Sequence, residues 1–240
     1  MNLIEILGFG EKGWGGLLLA GMMMTLAVTI TALIIGAIVG ALVAWAKLSK
    51  SLVWRLIGDA YTTVFRGVPE LLIIYLIYFG GSLWVSWLGS LLGLQGFIGL
   101  PAFGAGALGV GLISASYQAE VYRGSYLAIV PGEIEAARAI GMGRMKRFFR
   151  IIAPQIMRFS LPGLGNVWQL SLKDSALISV TGLAELMRQS EVAAGSTRLY
   201  FVFYIAGGVL YLVLTTLSDR VFGVAERRVA RSFRGGLGRS

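Results

Sequence analysis

Chemistry has few places to reside in this chain of 240 residues. It contains no His and no Cys, which removes imidazole bases, thiol nucleophiles, disulfides and the common soft metal sites together. The residues in the most unusual setting are Lys173 and Asp174, which interrupt an apolar run. A Lys or Asp facing lipid at the centre of a helix costs about 2.5–3.5 kcal/mol on insertion scales. Both must therefore face protein or a watery cavity. They serve either as a gate or substrate contact, or as an ion pair or backbone contact that fixes neighbouring helices. Glu70 and Glu120 border two other apolar runs, where a carboxylate either attracts a cationic solute or pairs with Arg66 and Arg123. No paired acids are expected inside the apolar runs, and without His or Cys an acid–base enzyme is remote. No Gly-x-x-x-x-Gly-Lys-Ser/Thr phosphate loop occurs, so ATP is not handled here by that device.

The elements that must position these residues are membrane helices. Hydrophobic residues make up 56% of the chain and charged ones 14%, against about 25% charged in ordinary soluble domains. No charge appears from Gly13 to Ala46, or from Leu71 to Ala119. A hydrocarbon core of about 30 Å needs only about 20 helical residues. The pattern predicts an all-α integral membrane protein, a single transmembrane domain over 1–240. Its five spans fall at roughly 17–46, 68–90, 99–120, 159–181 and 199–221, with a Gly-rich turn over 89–104. The acidic amino terminus and the length of the first run disfavour a cleaved signal peptide. Of the 21 Lys and Arg, 17 fall in one set of loops, three in the other and one, Lys173, within a span. The positive-inside rule then puts the carboxyl terminus in the cytoplasm and the amino terminus outside. Trp14, Trp84 and Trp87 fall at the outer interface and Trp45 and Trp54 at the inner one. The net charge of +9 follows from this topology and implies no nucleic acid.

Between the third and fourth spans lies a polar stretch, Pro131 to Arg158, reading PGEIEAARAIGMGRMKRFFRIIAPQIMR. Glu133 to Ile140 is a good helix former, and Gly141-Met142-Gly143 breaks it. In a second helix Met145, Phe148, Phe149 and Ile152 share one face while Arg144, Lys146, Arg147 and Arg150 occupy others. Pro154 is expected to help end that helix. Alone, this helix would suit a surface of anionic lipid. Gly36-x-x-x-Gly40 and Gly89-x-x-x-Gly93 fit the close-packing pattern of membrane helices, at a frequency chance also explains. Gly182 to Arg198 reads as a short outer surface helix with Glu185, Arg188 and Glu191 away from its apolar side. Residues 220–239 form a basic tail, solvated or lipid-associated.

Glu135-Ala136-Ala137, then Gly141, then Ile151 and Pro154, resemble the EAA loop of ATP-binding cassette (ABC) importer permeases; Ala153 stands where the full pattern has a large apolar residue. Arg66-Gly67-Val68-Pro69-Glu70, Tyr122-Arg123-Gly124, Leu161-Pro162-Gly163 and Leu172-Lys173-Asp174-Ser175-Ala176-Leu177 look like the polar amino acid uptake branch. Within that branch the chain is most similar to the Q-type subunits of histidine, arginine and opine systems. The resemblance runs from about Gly16 to Arg228. It implies a type I importer (MetI-like) fold in the bacterial inner membrane and half of a translocation pathway for polar or basic amino acids or opines. It also implies a homologous second permease, in a heterodimer rather than a homodimer, together with two ATPase subunits and a periplasmic solute-binding protein. No cofactor is implied on this chain, since ATP and Mg belong to the ATPase. Glu135, Ala136, Ala137, Gly141, Ile151 and Pro154 would couple the two. The rival transporter class is an ion-coupled secondary carrier using Asp174 or Glu70, which would need its own ion site and commonly internal repeats; no convincing repeat is present.

Overall fold

The computed structural model describes residues 3–10, 13–94 and 96–234, with side chains from 5 to 229. Glu11, Lys12, Gln95 and Arg239 lie outside the described residues, as do the side chains of Arg231 and Arg234. Every regular element among the described residues is helical. In order they are α1 (Leu3–Leu7), α2 (Gly15–Leu48), α3 (Leu52–Gly67), α4 (Glu70–Tyr75), α5 (Gly81–Leu91), α6 (Ala102–Leu127), α7 (Pro131–Ala139), α8 (Arg144–Arg147), α9 (Ala153–Asp174), α10 (Leu186–Thr197) and α11 (Tyr200–Arg234). π-turns at Leu76–Gly80 and Phe148–Ile152 join α4 to α5 and α8 to α9, and a 3₁₀ segment, Ser175–Thr181, follows α9.

Among the described residues three helices are long and apolar enough to cross a membrane by themselves: Gly15–Leu48, Glu70–Leu91 and Tyr200–Val229, with mean hydropathies of 2.6, 1.8 and 1.9. α6 and α9 fall outside that set for a physical reason. α6 is rich in Gly, Ala and Ser because it is wrapped by other helices, and Ser114, Ser116 and Gln118 are all buried in it. α9 carries Arg158, Pro162, Lys173 and Asp174 along its length.

α2 and α6 run side by side in the same direction. A Cβ on Gly36 would come within 2.4 Å of the Gln118 side chain, and one on Gly40 within 2.9 Å of the Ala115 carbonyl. Lipid tails supply no hydrophobic drive between helices, so close backbone approach and hydrogen bonding hold this pair. Gln118 donates to the Leu33 carbonyl at 3.3 Å and accepts from the Tyr122 hydroxyl at 2.9 Å. Gly89 and Gly93 behave differently: a Cβ on Gly89 would meet the Ile98 side chain of a returning loop at 2.6 Å, and Gly93 adopts φ +81 in a turn. The second glycine pair is therefore a hairpin device and not a helix-dimer seam.

The apolar runs gave no helix between the first two spans, yet α3 occupies Leu52–Gly67. It buries Gly58 and Thr62 against its neighbours and leaves Leu52, Val53, Leu56 and Ile57 exposed. Its Tyr61 hydroxyl donates to the Leu112 carbonyl of α6 at 2.8 Å. Leu112 lies eight residues, about 12 Å, along α6 from Glu120. α3 thus rises beside α6 from the level of Lys47 and Glu120, breaks at Val68-Pro69 where proline cannot continue the hydrogen-bond ladder, and hands over to α4. Around that break Val28, Ala32, Ile73, Ile74, Val110, Ile113 and Ile178 form the main core.

Candidate functional site

Two polar regions stand out, one at the α7–α9 elbow and one deep between the helices. In the elbow, Pro131 sits in the first turn of α7, where its missing N–H is no loss. Past Ala139 the chain turns through Gly141 at φ +75, a left-handed conformation that favours glycine. The Met142 N–H closes the turn on the Ala137 carbonyl at 3.0 Å. Gln155 donates to the Glu133 carboxylate and ties α7 to α9. Between the two helices lies a groove of about 480 Å³ lined by Glu133, Ala136, Ala137, Ile140, Arg150, Ile151, Pro154 and Gln155. The fold brings Ala136, Ala137, Ile151 and Pro154 together there. Gly141 lines an adjoining cleft of about 500 Å³ with Met142 to Lys146, and Glu135 is exposed outside both. Ala137 is only 3% exposed whereas Ala136 faces out, so the two alanines differ in setting: Ala137 lets the elbow close on itself, and Ala136 is open to solvent. Phe148, Phe149, Met145 and Ile140 are exposed apolar side chains around this rim.

The structure overturns the expectation that Pro154 helps end a helix. α8, the π-turn and α9 form one continuous rod from Arg144 to Asp174. Pro154 has no N–H to give the Arg150 carbonyl, and its ring would crowd that carbonyl in a regular α-helix. The wider π-turn just upstream relieves this: the Ala153 N–H reaches back five residues to the Phe148 carbonyl. The elbow is thereby joined without interruption to Lys173 and Asp174.

At the far end of the rod the two charges part. α9 ends at Asp174 and tightens into the 3₁₀ segment. Asp174 is 8% exposed and its carboxyl lies within hydrogen-bonding reach of that of Glu70. This corrects two expectations, that no acids pair among the apolar runs and that Glu70 turns to Arg66. Arg66 lies instead over the ring of Tyr117, 5.3 Å from its centroid. The break after α3 is what sets Glu70 this deep. Lys173 points the other way, exposed on a groove of about 780 Å³ with Tyr204, Gly207, Gly208 and Tyr211 of α11. Glu120 is separate from all three. It pairs with Arg123 at 2.9 Å, as expected, and also with Lys47, which meets Asp59 at 3.0 Å and the Thr62 hydroxyl at 2.8 Å. Lys47 had no assigned role in the sequence, because its partners come from α3 and α6.

Glu185 is a further residue that sequence reasoning misplaced. It was expected on the polar side of a surface helix; it is fully buried. It caps α10, accepting from the Met187 and Arg188 N–H groups at 2.8 and 2.6 Å, and from the Tyr211 and Thr25 hydroxyls at 3.0 and 3.4 Å. Burial pushes its carboxyl above the usual range, and those four donors only partly offset it. Gly21 lets α10 close on α2, since a Cβ there would meet the Glu185 carbonyl at 3.1 Å.

Comparison with known proteins now decides the family. The family described as "Binding-protein-dependent transport system inner membrane component" matches residues 32–231. The chain belongs to that family. Among its relatives, the octopine transport system permease protein OccQ of Rhizobium meliloti is 52% identical over 237 residues, covering 99% of this chain and all of OccQ. The histidine/lysine/arginine/ornithine transport system permease protein HisQ of Escherichia coli is 39% identical over 216 residues, covering 90% and 94%. A crystal structure of an amino acid ABC transporter with histidines superposes with a TM-score of 0.75 at 34% identity, over 90% of this chain and 95% of that one. An inward-facing structure of the MetNI methionine ABC transporter, at 18% identity and TM-score 0.70 over 92% and 99%, shares the fold. This permease is therefore an inner-membrane subunit of an ABC importer with the MetI-like fold, a transport component that by family works with ATPase and binding-protein partners.

Proposed function

We propose that this permease carries an opine or a basic amino acid, as its Q-type relatives do, and that the α7–α9 elbow is where a separate ATPase drives it. The observation that carries the reading is the uninterrupted rod from Arg144 to Asp174, with the elbow groove at one end and the Glu70–Asp174 pair and Lys173 at the other. Ala136, Ile151 and Pro154 line the groove, Gly141 sets the bend, and Glu135 stands free for a basic residue of the ATPase. ATP binding closes the ATPase pair and draws the elbows of two permeases together, and the rod carries that displacement to the charges. Alternating access follows from the different affinities of the two states for ATP and for the loaded receptor.

In this reading five spans cross the membrane: α2, a second made of α3 and α4 and broken at Pro69, α6, α9 with its 3₁₀ extension, and α11. The amino terminus is periplasmic and the carboxyl terminus cytoplasmic. The common direction of α2 and α6 supports this, because first and third spans must cross the same way. Glu70 and Asp174 attract the cationic side chain of the cargo, while Lys173 faces the second, homologous permease or the carboxylate of the cargo. Glu120 belongs with Lys47 and Arg123 in holding α2, α3 and α6 together. The test is the complete complex in liposomes with Ala136→Trp, which fills the partner-facing side of the groove and spares Ala137. Uptake and substrate-stimulated ATP hydrolysis should both fall at least tenfold with the permease still in the membrane. Normal coupled transport in that variant, or concentrative uptake by the permease without any ATPase, would overturn the reading.

A further inference from the structure

The stretch from Gly81 to Leu100 is the least explained part of the molecule. α5 ends at Leu91 and the chain turns back along it. The return is held by two serines: the Ile98 N–H donates to the Ser86 hydroxyl at 2.8 Å, which in turn donates to the Ile98 carbonyl, and the Leu100 N–H donates to the Ser82 hydroxyl at 3.0 Å. At the tip the N–H groups of Leu92, Gly93 and Leu94 donate to carbonyls of the last turn of α5. Glycines let the return lie close, since a Cβ on Gly81 would meet Leu100 at 2.7 Å and one on Gly89 would meet Ile98 at 2.6 Å. These polar groups thus turn inward, and among the described residues the outside of the hairpin is mostly apolar. Trp84, Leu88, Leu91, Leu92, Leu94 and Phe97 are all more than half exposed, and no charged residue occurs from Leu71 to Ala119.

Length sharpens the point. Ile74, one turn into α4, packs against Gly109 of α6, 3.4 Å from where a Cβ on that glycine would sit, so Glu70 starts α4 close to the middle of α6. The 22 residues from Glu70 to Leu91 rise about 33 Å, whereas half a hydrocarbon core is about 15 Å. A straight helix along the membrane normal would carry the whole hairpin into water, exposing an apolar patch larger than soluble surfaces tolerate. The π-turn at Leu76–Gly80 is the kind of site where helices change direction.

We infer that the Gly81–Leu100 hairpin does not project from the membrane but lies in the outer leaflet as a lipid-embedded wedge, its partner being phospholipid acyl chains at the glycerol level. Irregular backbone survives at membrane depth only when its polar groups are satisfied by protein, and Ser82 and Ser86 do that for Ile98 and Leu100. Trp84 and Trp87, in edge contact at 5.7 Å, sit at the headgroup boundary that indole rings favour. A surface built to dock a soluble receptor would carry charge for orientation, and this one has none. The inference rests on the proposed reading only for which leaflet is the outer one.

The test uses the absence of cysteine in the native chain. Leu92→Cys and Phe97→Cys, each carrying a nitroxide in the complete complex with cysteine-free partners, are placed in phosphatidylethanolamine/phosphatidylglycerol liposomes. Collisions with oxygen, which concentrates in lipid, should exceed those with a water-soluble nickel chelate severalfold. Dominant nickel collisions would place the hairpin in water, and protection from both reagents would place it under the second permease; either overturns the inference. Ser82→Ala with Ser86→Ala should raise nickel access severalfold, while Ser90→Ala, whose hydroxyl bonds the Trp87 carbonyl of its own helix, should not. Equal access in the double variant and the parent would remove the serines from the account. Uptake by the same liposomes reports separately on the proposed function.

Discussion

The elbow and the Glu185 cap make an instructive pair. Both use a carboxylate near the start of a short helix, and both fix the angle between α9 or α11 and its neighbours. In the elbow, Glu133, Gln155 and the groove residues come from 23 consecutive positions and, Ala137 apart, remain open to solvent. At Glu185 the four donors come from α2, α10 and α11 and the carboxylate is sealed. The elbow is an open face, which in the proposed reading receives the ATPase, and it tolerates change in its own stability. The cap is a closed joint, where removing one group strands several others.

That contrast breaks if the cap proves dispensable. Glu185→Leu leaves two hydroxyls and two N–H groups unsatisfied and should cost about 3 kcal/mol, read as a large drop in the thermal midpoint of the detergent-solubilised complex. A loss below about 0.5 kcal/mol would mean that water reaches the joint.

Lys47→Met comes next. It strips Glu120 and Asp59 of their shared ammonium, but Arg123 still holds Glu120, so the expected cost is about 2 kcal/mol. Adding Glu120→Gln should restore part of it, and a double-mutant cycle measures the coupling. Strict additivity would show that the ion network does not act as a unit.

The pH profile gives a smaller effect. The Glu185 pKa is raised in the folded state, so the native protein binds more protons than the unfolded chain once pH exceeds the ordinary carboxylate value. Stability from this group is full below about 4.5 and declines as pH rises through the shifted value, by at most about 1.4 kcal/mol per pH unit. Glu185→Gln should flatten that decline in the thermal midpoint measured from pH 4 to 8. An unchanged slope would assign it to another group.

Pro154→Ala sits at the bottom of the scale. Because the helix already runs through position 154, restoring an N–H there should change stability by less than about 1 kcal/mol, while hydrogen exchange at Phe148–Ile152 reports whether the π-turn relaxes to a regular helix. Strong destabilisation would mean that the π-turn depends on something other than the proline.

Much of the site was legible where chemistry and sequence are contiguous. Glu133 to Pro154 read as helix, bend and helix because glycine at 141 and the apolar spacing of 145, 148, 149 and 152 are local signals. Pro154 misled because a local rule was outvoted: the π-turn absorbs what a proline ordinarily forbids. Glu70–Asp174 and Lys47–Glu120 were illegible for another reason. Each pair is separated by more than 70 positions, and nothing in either neighbourhood announces the other. Gly36 and Gly40 looked like chance glycines until Gln118 of α6 filled the space that they leave.

Composition and charge runs alone determined that the polypeptide is a bundle of membrane helices with a polar elbow, because the exclusion of charge from hydrocarbon acts on every residue independently. The tertiary structure decided which buried charges face each other, which alanine of the elbow points outward, and that α3 climbs beside α6 to set Glu70 deep in the bundle. Those outcomes depend on how helices distant in sequence pack, and packing in lipid is settled by backbone approach and hydrogen-bond partners that no single segment contains.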